Sequence, residues 1–199
     1  MIIKSTYLNV SLRALLAVFS TVALASGAQA AGSIDAGKEK AATCIACHGV
    51  DGNSANPQWP SLAGQGEAYM ISTTEAFQIP LGEAGEVVEG GRYDPVMTGQ
   101  AINLSAEDLA DLGAYFNAQR MTGKVSDPAL VGEGEGLYRG GNIEANVSAC
   151  IACHGPSGRG NAPAAYPSIA GQHAVYTVSY THLRAHETRH YLVCRLLLG

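Results

Sequence analysis

Long apolar runs are missing from this sequence. The longest, residues 14–25, covers 12 residues, whereas a helix that crosses a bilayer needs roughly 20. That argues against a membrane-spanning anchor. Positive charge is also scarce. Residues 31–177 hold 7 Lys and Arg against 16 Asp and Glu, a formal net charge of −9. A nucleic-acid partner needs the opposite balance. The acidic excess lies mostly before residue 125, in side chains such as Glu83, Glu86 and Glu89. It fits steering towards a basic docking partner, and it serves plain solubility equally well. Methionine is rare: beyond residue 30 only Met70, Met97 and Met121 are present. No alternating strand pattern surrounds the cysteines, and the fold class expected is all-α.

The N-terminus reads as an export signal. Lys4 and Arg13 precede the apolar stretch, and Ala28-Gln29-Ala30 supplies the small-x-small pattern cut by signal peptidase. Residues 1–30 are therefore expected to be a signal peptide. The mature protein is expected to be periplasmic, either soluble or peripherally associated with a membrane. The other end reads as an artefact. Val178–Thr188 is what the transposase adapter of short-read library preparation encodes in this frame. Arg189-His190-Tyr191 has the length of a variable index, and Leu192–Leu198 matches the flow-cell end of the same adapter. Residues 178–199 are set aside on that ground. Cys194 then needs no role, and His182, His186 and His190 are not read as metal ligands.

Four cysteines remain, in two copies of one motif: Cys44-Ile45-Ala46-Cys47-His48 and Cys150-Ile151-Ala152-Cys153-His154. C-x-x-C-H is the attachment signal for a c-type haem. Two thiols three residues apart on a helical turn reach the two vinyl groups of one haem and form thioethers. The adjacent histidine is then held beneath the iron. A zinc ribbon would put its paired cysteines about 15–20 residues apart, and here the pairs are 106 apart. A thioredoxin-like motif would sit in a βαβ unit. Disulfides suit an exported protein, yet they do not explain the His-Gly that follows both pairs. Two covalently bound haem c groups are the expectation.

The motifs belong to a longer repeat. Pro60-Ser61-Leu62-Ala63-Gly64-Gln65 returns as Pro167-Ser168-Ile169-Ala170-Gly171-Gln172, and Tyr69 returns as Tyr176. The offset is 106 at the cysteines and 107 at the prolines, so one residue is inserted between them. Two tandem class I cytochrome c domains follow, residues 31–125 and 126–177, the second incomplete, with a linker near Thr122–Pro128. Helices are expected over about 34–43 and 67–77. Residues 80–104, rich in Gly with Pro80 and Pro95, read as loop. Ser105 and Asp108 resemble a capping box ahead of a helix with one apolar face. Tyr115 and Phe116 are expected to pack against the haem or the first helix.

A sixth iron ligand opposite histidine is commonly a methionine sulfur. Met70 lies within a predicted helix and Met121 follows the last helix of the first domain. Met97, on the Gly/Pro stretch before the final helix, is the expected ligand. The second ring nitrogen of the proximal histidine needs a partner of its own. The carbonyls of Pro60 and Pro167 are the expected partners for His48 and His154.

Taken together, the paired C-x-x-C-H-G motifs, the two Pro-Ser-x-Ala-Gly-Gln segments, Met97-Thr98-Gly99 before Leu104-Ser105, and Arg139-Gly140-Gly141 resemble the cytochrome c4 family. The resemblance implies a dihaem periplasmic electron carrier and no enzyme, with two domains packed face to face. Cys44, Cys47, His48 and Met97 would serve the first haem, and Cys150, Cys153 and His154 the second. No methionine follows Cys153, so a second methionine ligand cannot be placed. The implied redox partners are a membrane electron donor and a terminal oxidase. The alternative is the dihaem subunit of an enzyme such as a flavocytochrome c sulfide dehydrogenase.

Overall fold

The first helix, α1 (Ile34–Lys40), starts where Ser33 accepts a hydrogen bond from the Ala36 amide. Asp35 sits in its first turn, and Lys38 and Lys40 in its last, matching the helix dipole at both ends. The computed structural model describes residues 31–180. The expected signal peptide and residues 181–199 lie outside the described residues. A 3-10 turn, Ala41–Thr43, tightens the chain and delivers a single-turn helix, α2 (Ile45–His48). The helix expected over 34–43 is thus α-helical only to Lys40.

Next come α3 (Glu67–Glu75), ending in a 3-10 turn at Ala76–Gln78, then α4 (Pro95–Ala101) and α5 (Ala106–Asn117). The stretch 80–104 is not all loop, which corrects the sequence expectation. Asp94 accepts from the amides of Val96 and Met97, and Pro95 fills the first helical position, where its missing N–H costs nothing. The capping box of α5 is present: Ser105 Oγ accepts from the Asp108 amide, and the Asp108 carboxylate accepts from the Ser105 amide.

The core forms where α1 crosses α5. Ala41, Leu112 and Phe116 make its centre, with Cys44, Ile45, Leu62, Met70, Leu104 and Tyr115 packed against it. Phe116 is 1% exposed, and burying such a side chain stabilises by about 1.5–3 kcal/mol. The helices approach so closely that a Cβ on Gly37 would overlap the Asp111 carbonyl. Lys40 Nζ lies 2.7 Å from Asp108 and 2.6 Å from Asp111, and Asp111 also accepts from the Ser33 amide at 2.7 Å. These contacts fix the register of α1 on α5, and hence the place where the chain enters the first cysteine.

The second half repeats the first in outline. Pro128–Leu130 is a 3-10 turn, followed by α6 (Val131–Gly140), the single turn α7 (Ile151–His154), a 3-10 turn at Ala162–Ala164, and helical residues 174–180. Helix α6 has no precedent in the sequence reading, since four glycines weaken its propensity. Leu62 and Ala63 donate to Gly52, and Ile169 and Ala170 donate to Gly158 in the same way. The extra residue therefore lies after Gly158, where an isolated bridge joins Asn161 to Tyr166. No β-strand is formed among the described residues beyond two such bridges. Between residues 126 and 180 only Gly158 and Ser168 are buried. Among the described residues this half has no counterpart of α4 or α5 to cover it. No described helix is long and apolar enough to cross a membrane.

Candidate functional site

Helix α2 is one turn long, and that turn is the site. The amides of Cys47 and His48 both donate to the Cys44 carbonyl, at 3.2 and 3.0 Å. This places the two thiols on one face, three residues apart, with the imidazole following directly. α7 repeats the arrangement: the amides of Cys153 and His154 donate to Cys150 at 3.2 and 3.0 Å. All four thiols are free and half-buried. Gly49 and Gly155 end the two turns at φ of +88° and +73°. A side chain is strained there, which explains why glycine follows both histidines.

Each histidine is held through one ring nitrogen. His48 Nδ1 lies 2.8 Å from the Pro60 carbonyl, and His154 Nδ1 lies 2.8 Å from the Pro167 carbonyl. A carbonyl can only accept, so Nδ1 is the donor in both rings, and Nε2 is the nitrogen left to face an iron. Proline leaves its neighbourhood one donor short, and these two carbonyls serve as the expected anchors. His48 is 5% exposed. Burial pushes its pKa down, with the Pro60 carbonyl opposing more weakly. That favours, in the first ring, the neutral form that a metal ligand requires. His154 is only half-buried.

The structure also places the three methionines. Met70 packs against the core of Ala41, Leu112 and Phe116. Met121 lies beside Gly171, where an added Cβ would sit 2.8 Å from its Cγ. Met97 sits half-buried in the first turn of α4, its amide donating to Asp94. Gln78 ties the end of α4 to α3 by donating to the carbonyls of Ala101 and Leu104, at 2.9 and 2.7 Å.

Several contributors escaped the sequence reading. Tyr138 on α6 donates its hydroxyl to the Gly155 carbonyl, pinning the second turn. Ser54 links the first turn to its anchor, its hydroxyl donating to the Cys47 carbonyl and its amide to Ser61 Oγ. Gln65 and Gln172 each reach the opposite half. The last pair was visible only as part of the repeat. The guanidinium of Arg92 lies over the rings of Phe77 and Tyr180, at 4.5 and 4.8 Å. Tyr180 belongs to the segment that the sequence reading set aside.

The donor set suits a covalently attached haem at each turn. Two thiols outside any disulfide are spaced for two thioethers, and an imidazole anchored through Nδ1 turns its Nε2 beside them. A haem bound there supplies an iron that gains and loses one electron.

Comparison with known proteins agrees. The family model described as "Cytochrome c" matches residues 34–119 and again 135–192. Cytochrome c4 of Azotobacter vinelandii is 49% identical over 165 residues, covering 82% of this chain and 78% of that protein. A thiosulfate dehydrogenase electron acceptor of Thiomonas intermedia is 36% identical over 172 residues, covering 84% of this chain and 73% of that one. The crystal structure of reduced recombinant cytochrome c4 from Pseudomonas stutzeri superposes with a TM-score of 0.69 at 45% identity, covering 75% of this chain and 78% of that one. Two matches to one family model, each around its own anchored Cys-x-x-Cys-His turn, place this chain in the cytochrome c family, as an electron carrier of the c4 type with two covalent haems.

Proposed function

We propose that the chain is exported and works in the periplasm, shuttling single electrons from a membrane-bound donor towards a terminal oxidase. Residues 1–30 act as the signal peptide, and 31–125 and 126–177 as the two haem domains. Cys44 and Cys47 hold the first haem, with His48 and Met97 as axial ligands. Cys150, Cys153 and His154 hold the second. The observation that carries this reading is the repeated histidine anchor, Nδ1 to a proline carbonyl at 2.8 Å in both halves. An anchored ring cannot swing when the iron changes charge, and a fixed ligand set suits rapid outer-sphere transfer. Met97 is favoured because Met70 is spent on the core and Met121 stands beside Gly171. The acidic surface would draw a basic docking site, more weakly as salt rises. Mixing the reduced holoprotein with membranes containing its oxidase tests the reading. Rapid, salt-sensitive oxidation is expected, and slow oxidation at every ionic strength would refute it.

A second reading is favoured by one relative, named for accepting electrons from thiosulfate dehydrogenase. On that reading the chain takes electrons from a sulfur-oxidising enzyme, or serves as the dihaem subunit of a flavocytochrome c sulfide dehydrogenase. Stable co-purification with a flavoprotein, and reduction by sulfide only in its presence, would favour it over a free carrier.

A further inference from the structure

Two glutamines cross between the halves in a reciprocal pattern. Ser61 N–H donates to Gln172 Oε1 at 2.9 Å, and Gln172 Nε2 donates back to the Ser61 carbonyl at 2.8 Å. Ser168 N–H donates to Gln65 Oε1 at 2.7 Å, and Gln65 Nε2 donates back to the Ser168 carbonyl at 3.0 Å. Each amide is fixed in its orientation, because its oxygen also accepts from the next backbone amide: Gly66 for Gln65, His173 for Gln172, both at 3.0 Å. Ser61 and Ser168 are buried, and so is Gln65.

One of the two peptides that each glutamine engages is the one that anchors a histidine. Pro60 C=O and Ser61 N–H are two ends of a single peptide group. Its oxygen accepts from His48 Nδ1 while its N–H donates to Gln172. Pro167 C=O and Ser168 N–H stand in the same relation to His154 and Gln65. A peptide is conjugated, so donation at nitrogen moves electron density onto oxygen. Successive hydrogen bonds in such a chain strengthen one another. A stronger acceptor at Nδ1 gives the ring more imidazolate character and makes it a better donor to iron.

We propose that Gln172 and Gln65 are positioning residues that tune the haems crosswise. Gln172, in the second half, sets the electron donation of His48 in the first. Gln65, in the first half, sets that of His154 in the second. The inference rests on the assignment of His48 and His154 as iron ligands. It gives the interface a redox role, since separating the halves would shift both haems together.

The experiment uses the holoprotein and Gln172→Leu, Gln65→Leu and Gln172→Glu. Haem-methyl resonances, assigned to each haem by their proximity to its own cysteines, are followed through a redox titration. Gln172→Leu removes the acceptor, weakens donation by His48 and raises the potential of haem one. The expected change is about two- to threefold in its redox equilibrium constant, or about 18–28 mV at 59 mV per tenfold for one electron. Haem two should change less. Gln65→Leu should show the reverse pattern. Gln172→Glu presents a stronger acceptor and should lower the potential of haem one. The Nδ1 proton of His48 should move in opposite directions in the Leu and Glu variants. A looser interface alone would shift Leu and Glu variants the same way, which would overturn the relay. Unchanged potentials in variants whose haems stay His-ligated would overturn it as well. A wild-type protein lacking His-ligated haem would instead sink the ligand assignment, and the relay with it.

Discussion

Alanine at Gly37 tests the crossing that positions the first haem turn. In an unpacked helix the change would stabilise, because alanine exceeds glycine by about 1 kcal/mol in helix propensity. Here the new Cβ overlaps the Asp111 carbonyl oxygen and lies 2.6 Å from its carbon and 2.7 Å from Tyr115 Cβ. Carbon contacts are normally about 3.5–4.0 Å, so α5 must retreat by roughly 1 Å. Overpacking typically costs about 1–3 kcal/mol. The atoms struck here are mostly backbone, which cannot rotate away, and the retreat also stretches the Lys40–Asp111 and Ser33–Asp111 bonds. We expect a net loss of about 2 kcal/mol, and a fall in Tm of about 4–8 °C for a protein of this size. Gly113→Ala is the internal comparison on the facing helix. Its Cβ would meet Glu67 at 3.6 Å, an ordinary contact, so the propensity gain should survive. Thermal unfolding of the holoprotein, followed by circular dichroism in the far-ultraviolet and Soret regions, measures both. Equal Tm values for the two variants would refute the close approach of α1 to α5.

Other outcomes follow from the same geometry. Intact mass and haem staining after denaturation should show two haems per chain when a periplasmic maturation system is present, and Cys150→Ala with Cys153→Ala should leave one. Met97→Ala should abolish the weak sulfur-to-iron band near the red end of the oxidised spectrum and lower the potential of haem one, because methionine ligation raises it; the same loss in Met121→Ala instead would refute the assignment. Lys40 holds the carboxyl of Asp108 well below the usual carboxylate range and lowers that of Asp111 as well. Their contribution is therefore complete above the unfolded value of about 3.9 and is lost as pH falls further towards the depressed folded values. Denaturant titrations should show stability declining below about pH 4, with a shallower decline and a lower plateau in Asp111→Asn. An unchanged acid limb in that variant would show that the ion pair does not set acid stability.

Much of the site was legible because it is local. Cys44 to Gly49 and Cys150 to Gly155 are single turns, and i, i+3 spacing on a turn needs no help from the rest of the chain. The capping box at Ser105 is a four-residue signal. The roles of the Pro60 and Pro167 carbonyls followed from the need to hold the second ring nitrogen, and the repeat supplied both candidates. Asp94-Pro95, also a local signal, marked the start of α4. The density of glycine and proline around it masked that signal. Helix α6 is a different case. Its glycines have low helix propensity, and a helix there draws on contacts such as the one from Tyr138 to Gly155.

The sequence by itself determined the chemistry: which residues can bind haem, how many haems, and where the repeat begins and resumes. It did so because covalent attachment and capping depend on residues within one turn of each other. Only the tertiary structure decided the partners across long separations. Lys40 meets Asp111 because α1 crosses α5 at Gly37. The repeat put Gln65 and Gln172 in equivalent places but could not show that each would bond the other's serine peptide. That pairing depends on how two half-buried surfaces pack, and packing is a property of the whole fold, not of any segment in it.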